Sequence, residues 1–243
     1  MRMRKHFATG AALAAAAAMA LTACGGGGGT TASGTGTGTE LNVAAAYTSD
    51  DFGPLTTGAL PMGTNWQVLE GLYRLDRTDY SVSPALAAGD PVMVSDTEYE
   101  ISLRDGAKFS DGSDVTVEDV VFSFERVLDP ANNSLYSQFL TFLESVTAKD
   151  DTTVTIKTKH PYSLVAERLS TVKIVPKAVV EADPKAFDMN PIGSGPYKMT
   201  DNSAASQTVV FERNDNYNGS HPALAKKMTW QVLADDTTRT NAI

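Results

Sequence analysis

The thirty residues from Tyr99 to Leu128, YEISLRDGAKFSDGSDVTVEDVVFSFERVL, constrain the fold of this chain more tightly than any other stretch. Tyr99, Ile101 and Leu103 alternate with Glu100, Ser102 and Arg104, the period-two pattern of a strand with one buried face. Asp105-Gly106 and Asp111-Gly112 mark two tight turns, because glycine reaches positive φ without a steric penalty and aspartate bonds its own backbone. Lys108-Phe109 sits between them as a short strand piece. Thr116 with Asp119 is spaced as a capping box, and Glu118 and Asp119 place negative charge where the helix dipole favours it. Val117, Val120, Val121, Phe124 and Leu128 then recur at three- and four-residue spacing and form one apolar stripe. A strand, two turns and an amphipathic helix in so short a compass point to an α/β protein.

The chain ahead of this stretch is of another kind. Met1 to His6 is basic, Phe7 to Ala20 is almost wholly apolar, and Leu21-Thr22-Ala23-Cys24 follows. A charged start, an apolar run too short to span comfortably and small residues before a cut describe a secretory signal peptide over residues 1–23. The residues ending at Cys24 resemble the lipobox of bacterial lipoproteins, in which that cysteine carries the lipid anchor and becomes the new N-terminus. Cys24 is the sole cysteine, so an internal disulfide and a multi-cysteine zinc site are both excluded. Residues 25–39 are nearly all Gly, Thr, Ser and Ala and behave as a flexible tether with a reach of about 20 Å.

Charge narrows the partners. The whole chain has 20 Lys+Arg against 29 Asp+Glu; without Arg2, Arg4 and Lys5 the balance is 17 to 29, a net of −12. Such acidity argues against nucleic acid, whose binding needs Lys and Arg to displace counterions from phosphates.

Order is expected from Glu40, with Leu41, Val43 and Ala45 alternating into Tyr47 as a first strand. Thr48 to Gly63 is turn-rich, and Asn65 is placed to cap a helix in which Trp66, Leu69 and Tyr73 face inward. Ser83 to Leu86 leads toward the opening stretch. Ala131 to Ser134 reads as a loop, and Glu144 to Lys149 with Thr152 to Thr158 as a hairpin turning at Asp150-Asp151. Tyr162 to Leu169 reads as a helix, Ile174 to Pro176 as a short strand and Lys177 to Ala182 as a helix. Pro191 to Tyr197 is a glycine-rich loop opening into a strand. Gln207 to Arg213 and Met228 to Leu233 are further strands, and Asp235 begins a last helix.

Catalytic chemistry is thinly supplied. His160 and His221 each precede proline, a loop setting. Ser170 and Lys173 match the S-x-x-K spacing of serine acyl enzymes, which defines a secreted serine hydrolase as the competing class, but no SDN or KTG partner accompanies them. Gly193-Ser194-Gly195 has neither the nucleophile-elbow nor the phosphate-loop spacing. It serves equally as a tight turn between core elements or as a place where backbone approaches a ligand. The adjacent acids Asp50-Asp51, Asp150-Asp151 and Asp235-Asp236 point apart along the chain and make no dyad. No cofactor or metal is called for.

The leucine-arginine strand end, the Phe-x-Asp-Gly turn and the acidic helix start within the opening stretch resemble the signature of the peptide, dipeptide and nickel-binding family (family 5) of ABC-importer solute-binding lipoproteins. Glu70-Gly71-Leu72-Tyr73, Pro84-Ala85-Leu86-Ala87, Ile174 to Lys177, Pro191 to Tyr197 and Arg213-Asn214 with Tyr217 are similar to further family motifs, in the family's order. Phe52-Gly53-Pro54 departs from the usual Leu-Asp-Pro. The resemblance implies an α/β, periplasmic-binding-protein-like (type II) two-lobed fold, of which this chain holds the first lobe and its inserted peripheral subdomain. The implied boundaries are 40–63 for the first part of that lobe, 64–183 for the subdomain, where the opening stretch is scaffold, and 184–243 for the second part. Family members are about twice as long, so the second lobe is expected to be missing and residues 24–243 to bind marginally or not at all. The implied role is non-enzymatic: capture of an oligopeptide or dipeptide, alternatively a nickel or metal chelate, and delivery to ABC permease subunits by a monomer held at the outer face of the cell membrane. The implied ligand contacts are Tyr47, Thr48, Thr64, Asn65, Trp66 and Ser194. Tyr47 and Trp66 serve equally well as core aromatics.

Overall fold

The computed structural model describes residues 40–47, 49, 51–56, 66–203 and 207–242. The signal segment 1–23, Cys24, the tether 25–39, Thr48, Thr64 and Asn65 lie outside the described residues. In chain order the strands are β1 (Glu40–Ala45), β2 (Tyr73–Leu75), β3 (Val82–Pro84), β4 (Val92–Ser95), β5 (Glu98–Ser102), β6 (Leu143–Ala148), β7 (Thr153–Thr158), β8 (Tyr197–Ser203), β9 (Thr208–Arg213) and β10 (Lys227–Val232). The helices are α1 (Val117–Leu128), α2 (Val165–Leu169), α3 (Lys177–Ala182), α4 (Pro184–Met189) and α5 (Asp236–Asn241).

Two four-stranded sheets and a small β2-β3 hairpin organise these elements. The first sheet has the order β1-β10-β9-β8, with β1 parallel to β10 and the other pairs antiparallel. It closes a core around Phe52, Val68, Leu69, Val180, Phe187 and Phe211. The second sheet, β4-β5-β7-β6, is antiparallel throughout and covers a larger core that includes Ile101, Phe109, Val120, Phe124, Ile156 and Leu169. Ile192 packs against both cores.

Helix α1 begins as its sequence predicts. The Thr116 hydroxyl accepts the Asp119 amide at 3.2 Å, and the Asp119 carboxylate accepts the Thr116 amide at 2.9 Å. Its inner stripe runs through Val117, Val120, Phe124 and Val127; Leu128, expected inside, is 40% exposed. The 3-4-3 spacing returns to the core at Val127 and carries the next residue round to solvent.

Three further expectations need correction. The helix expected from Asn65 to Tyr73 is only a short helical piece at Trp66-Gln67, and Tyr73 opens β2 instead. The carbonyls of Val68 and Glu70 accept the amides of Gly195 at 2.8 Å and Ile174 at 2.8 Å, so tertiary partners replace helical ones. Ile174 to Pro176 is likewise not a strand. Its amides are held one at a time, Ile174 by the Glu70 carbonyl and Val175 by the Ser123 hydroxyl at 2.9 Å. Helix α4 was not expected, although Asp183-Pro184 carried its signal: the Asp183 carboxylate caps the Ala186 amide at 3.0 Å, with proline in the first turn.

The opening stretch is the joint between the two cores. Asp119, besides closing the capping box, accepts the Lys177 amide at 2.8 Å and so fixes the start of α3. The Ser110 amide donates to the Gly193 carbonyl at 2.9 Å. Asn218 donates from Nδ2 to the carbonyls of Asp105 at 3.0 Å and Gly106 at 3.1 Å, and Asn216 to those of Phe109 at 3.4 Å and Ser110 at 3.3 Å. Asn214 donates to the Gly195 carbonyl at 2.8 Å. Alternate asparagines of one loop therefore grip both Asp-Gly turns and the glycine loop. Gly106 and Gly112 have φ of 64° and 94°, a conformation open to glycine, which presents these carbonyls outward.

Candidate functional site

The carboxyl ends of the parallel pair β1 and β10 lie side by side, with Ala45 opposite Val232 and the Leu233 amide donating to the Ala45 carbonyl at 2.8 Å. In α/β sheets this end of a parallel pair is where ligands are held. Tyr47 emerges there and is 74% exposed, which removes it from the core. Asp235, leaving β10, accepts the Thr238 amide at 2.7 Å and starts α5 as the sequence predicts.

The chain beyond Tyr47 is pinned rather than loose. Ser49 donates to the Asp51 carbonyl at 2.6 Å, and the Phe52 amide donates to the Asp188 carbonyl at 2.6 Å. Phe52 is fully buried. Asp188 itself accepts Arg126 Nη2 at 3.1 and 3.3 Å, and Arg126 lies over the Phe187 ring at 5.8 Å. Burial raises the Asp188 carboxyl above its ordinary value, with Arg126 opposing. Within Phe52-Gly53-Pro54, a side chain at Gly53 would place its Cβ 2.1 Å from Asp188 Oδ1.

Trp66 is 45% exposed, and Arg77, from the loop between β2 and β3, lies over its ring at 4.0 Å. It is a surface aromatic in a cation–π pair, not the inward-facing residue of a longer helix. Ser194 has the opposite setting. It is 1% exposed, and its hydroxyl sits beside Glu70 without a well-directed hydrogen bond. The loop around it is pressed to the backbone: a Cβ on Gly193 would meet the Val68 oxygen at 2.0 Å, and one on Gly195 would meet the Gln67 oxygen at 2.7 Å. Of the six expected ligand contacts, the structure describes Tyr47 and Trp66 at the surface and Ser194 inside.

Glu70 and Arg104 are a pair the sequence did not announce. Arg104 Nη2 stands 3.2 Å from Glu70 Oε2, Nη1 donates to the Ala85 carbonyl, and Nε donates to Asn218 at 3.0 Å. Burial raises the Glu70 carboxyl above its ordinary value, and Arg104 is the main opposing influence. Both residues lie in motifs noted above, Glu70-Gly71-Leu72-Tyr73 and the leucine-arginine strand end; only their pairing across the fold was hidden.

The serine-hydrolase pattern does not assemble. Ser170 donates its hydroxyl to the Glu167 carbonyl at 2.6 Å, and Lys173 Nζ donates to the Ser170 carbonyl at 3.3 Å. Nucleophile and base are each tied to backbone instead of to one another. His221 lies in a loop, with its Nδ1 2.9 Å from the Ser220 hydroxyl. Among the described residues no group of three or more His, Cys, Asp or Glu side chains is placed to hold a metal ion.

Comparison with known proteins agrees with this architecture. The chain is 36% identical over 179 residues to Protein XP55 of Streptomyces lividans, covering 72% of this chain and 32% of that one. It is 30% identical over 174 residues to the glutathione-binding protein GsiB of Escherichia coli, covering 70% and 33%. It thus spans about a third of the length of these curated relatives. The structure superposes on Listeria monocytogenes OppA bound to peptide with a TM-score of 0.75 at 24% identity, covering 84% of this chain and 44% of that one, a likeness of fold. The profile of the bacterial extracellular solute-binding proteins, family 5 (middle), matches residues 81–243, from β3 to the end of the chain, and the chain belongs to that family.

Proposed function

We propose that this protein is the extracytoplasmic substrate-binding component of an ABC importer, capturing a peptide-like solute between two lobes and passing it to permease subunits in the membrane. The observation that carries the reading is Tyr47, an aromatic side chain 74% exposed at the carboxyl end of the parallel strand pair β1 and β10. Such a ring, beside backbone groups at the strand ends, suits the flat amide units of a peptide. The first lobe is assigned to 40–63 and 184–243, and the peripheral subdomain to 64–183. Ligand enters an open cleft, and closure follows from its higher affinity for the closed form. No covalent step is needed.

Tyr47, Thr48, Thr64, Asn65 and Trp66 are assigned to the cleft wall. Ser194, being buried, lies behind it in the glycine loop that the Gly195 amide holds to the Val68 carbonyl. Cys24 is assigned the lipid anchor of a monomer at the extracytoplasmic face; among the described residues no helix is long and apolar enough to cross a membrane.

Titration calorimetry of the purified protein with both lobes present, with di- to pentapeptides and with a nickel–histidine chelate, tests the reading. Saturable peptide binding that Tyr47→Ala weakens at least tenfold, with thermal melting unchanged, is the expected result. Binding of the chelate alone, or an equal loss of melting and affinity in the variant, refutes it.

A further inference from the structure

The joint between the two cores is fastened by a residue pair with chemistry of its own. Asn218-Gly219 is the one place in the chain where asparagine is followed by glycine. At such a pair the backbone nitrogen of the second residue reaches the side-chain amide carbon of the first, because glycine carries no Cβ to hold it off. The packing demands both residues. Asn218 Nδ2 donates to the carbonyls of Asp105 at 3.0 Å and Gly106 at 3.1 Å, while its Oδ1 accepts Arg104 Nε at 3.0 Å. A carboxylate in its place has no hydrogen to give either carbonyl. At Gly219 a Cβ would stand 2.4 Å from Tyr217 Oη and 2.9 Å from Arg104 Nη1. Neither obstacle is loose: Tyr217 Oη accepts the His221 amide at 3.1 Å, and Arg104 Nη1 donates to the Ala85 carbonyl.

We propose that Asn218-Gly219 is a self-modification site, at which Asn218 deamidates spontaneously at a rate set by how often the joint opens. The Gly219 nitrogen attacks Asn218 Cγ. The new C–N bond forms, the bond to Nδ2 breaks, and Nδ2 leaves as ammonia with the proton that the Gly219 nitrogen gives up. Water then adds to either carbonyl of the cyclic imide and opens it, leaving aspartate or isoaspartate at position 218. The two reactants are held differently. Among the described residues the Gly219 amide has no hydrogen-bond acceptor, so the nucleophile is free, whereas Asn218 is bonded through both heteroatoms of its side-chain amide. Asn218 is exposed, so water reaches the site. While the joint is closed, Asp105, Gly106 and Arg104 keep the Asn218 side chain turned toward the Asp-Gly turn; local opening frees it to rotate back onto its own chain. The change runs one way. A carboxylate facing two carbonyl oxygens repels what the amide held, and its charge draws Arg104 away from Glu70, now 3.2 Å from it. Deamidation therefore loosens the joint that Asn218 closes, whichever solute the protein carries.

The test follows conversion at Asn218 by peptide mapping and mass spectrometry in mildly alkaline buffer, for native protein, for protein in concentrated guanidinium chloride and for Gly106→Ala. Gly106 has a φ of 64°, which alanine adopts only under strain, so the substitution shifts the turn carbonyls away from Asn218. The unfolded chain should convert at least about tenfold faster than native protein, with Gly106→Ala between them while its circular dichroism stays native. If Gly106→Ala does not fold, the comparison of native with unfolded wild type decides alone. Asn218→Asp, which mimics one product, should raise hydrogen exchange across residues 105–112 about threefold over wild type. Equal conversion rates in native and unfolded protein overturn control by the joint. Absence of conversion at Asn218 in guanidinium chloride overturns the site itself. Hydrogen exchange in Asn218→Asp equal to that of wild type overturns the loosening.

Discussion

Gly193→Ala is the sharpest perturbation of the joint that carries the glycine loop. An added Cβ would stand 2.0 Å from the Val68 oxygen and 2.7 Å from the Val68 carbonyl carbon. The obstacle is backbone, which cannot swing aside as a side-chain tip does, so the loop must retreat by about 1 Å or more to reach ordinary contact. A retreat of that size breaks the Gly195 amide to Val68 carbonyl bond at 2.8 Å and strains two more, Ser110 amide to Gly193 carbonyl at 2.9 Å and Asn214 to Gly195 carbonyl at 2.8 Å. Losing a buried hydrogen bond costs about 1 kcal/mol net and up to about 3 where a group is left unsatisfied, so two to three bonds give about 3–5 kcal/mol. With a urea slope of about 2–3 kcal/mol per molar for a body of this size, the unfolding midpoint should drop by about 1–2 M. Far-ultraviolet circular dichroism and tryptophan fluorescence in urea measure it. Gly89→Ala is the control, because its Cβ meets nothing within 4 Å, and it should change stability by no more than about 1 kcal/mol, in the stabilising direction. A Gly193→Ala protein within about 1 kcal/mol of wild type would show that the loop is not clamped to Val68 as described.

Lys173→Met tests the buried amine: an amine held down to about 8 from an ordinary 10.5 binds fewer protons folded than unfolded, so wild-type stability should rise with pH across that window by about 1–3 kcal/mol. Urea unfolding at pH 7.5 and 10 should show this rise reduced by that amount in the variant; equal slopes would refute it. Glu70 is held above the 4.5 of a free glutamate by burial, so the stability it contributes is full below pH 4.5 and lost as pH rises through the higher value. Relative to wild type, Glu70→Gln should therefore gain stability between pH 4 and 7, with a flat difference counting against the argument. Gly53→Ala should displace the Asp188 carboxylate from Arg126 and cost about 1–3 kcal/mol, because a half-buried cation loses its partner. In an Asp188→Ala background the same change should cost under about 0.5 kcal/mol; an undiminished cost there would locate the damage elsewhere.

Local pattern was legible wherever its cause was local. The Thr116–Asp119 box, strands β5 and β7, the turn at Asp150-Asp151 and the Asp235 cap are short-range effects of propensity and side-chain capping, and each stands where the sequence puts it. The failures share one cause. Residues 68–73 carry a helical stripe and residues 174–176 carry strand formers, yet their amides and carbonyls are bonded to each other and to Gly195 and Ser123. Partners so distant in the chain leave no periodicity to read.

The site divides the same way. The sequence by itself placed Tyr47 at the end of a strand and Ser194 in a glycine loop, and the motifs from Glu70 to Tyr217 identified the family. Tertiary structure alone decided that Tyr47 and Trp66 face solvent while Ser194 does not, and that Arg104 meets Glu70. It also made the opening stretch, expected to be scaffold of a peripheral subdomain, the joint that Asn214, Asn216 and Asn218 grip through backbone carbonyls. A residue's type sets what it is able to bond. Which partner it meets, and whether water reaches it, depends on segments a hundred residues away, and that is settled only when both cores close.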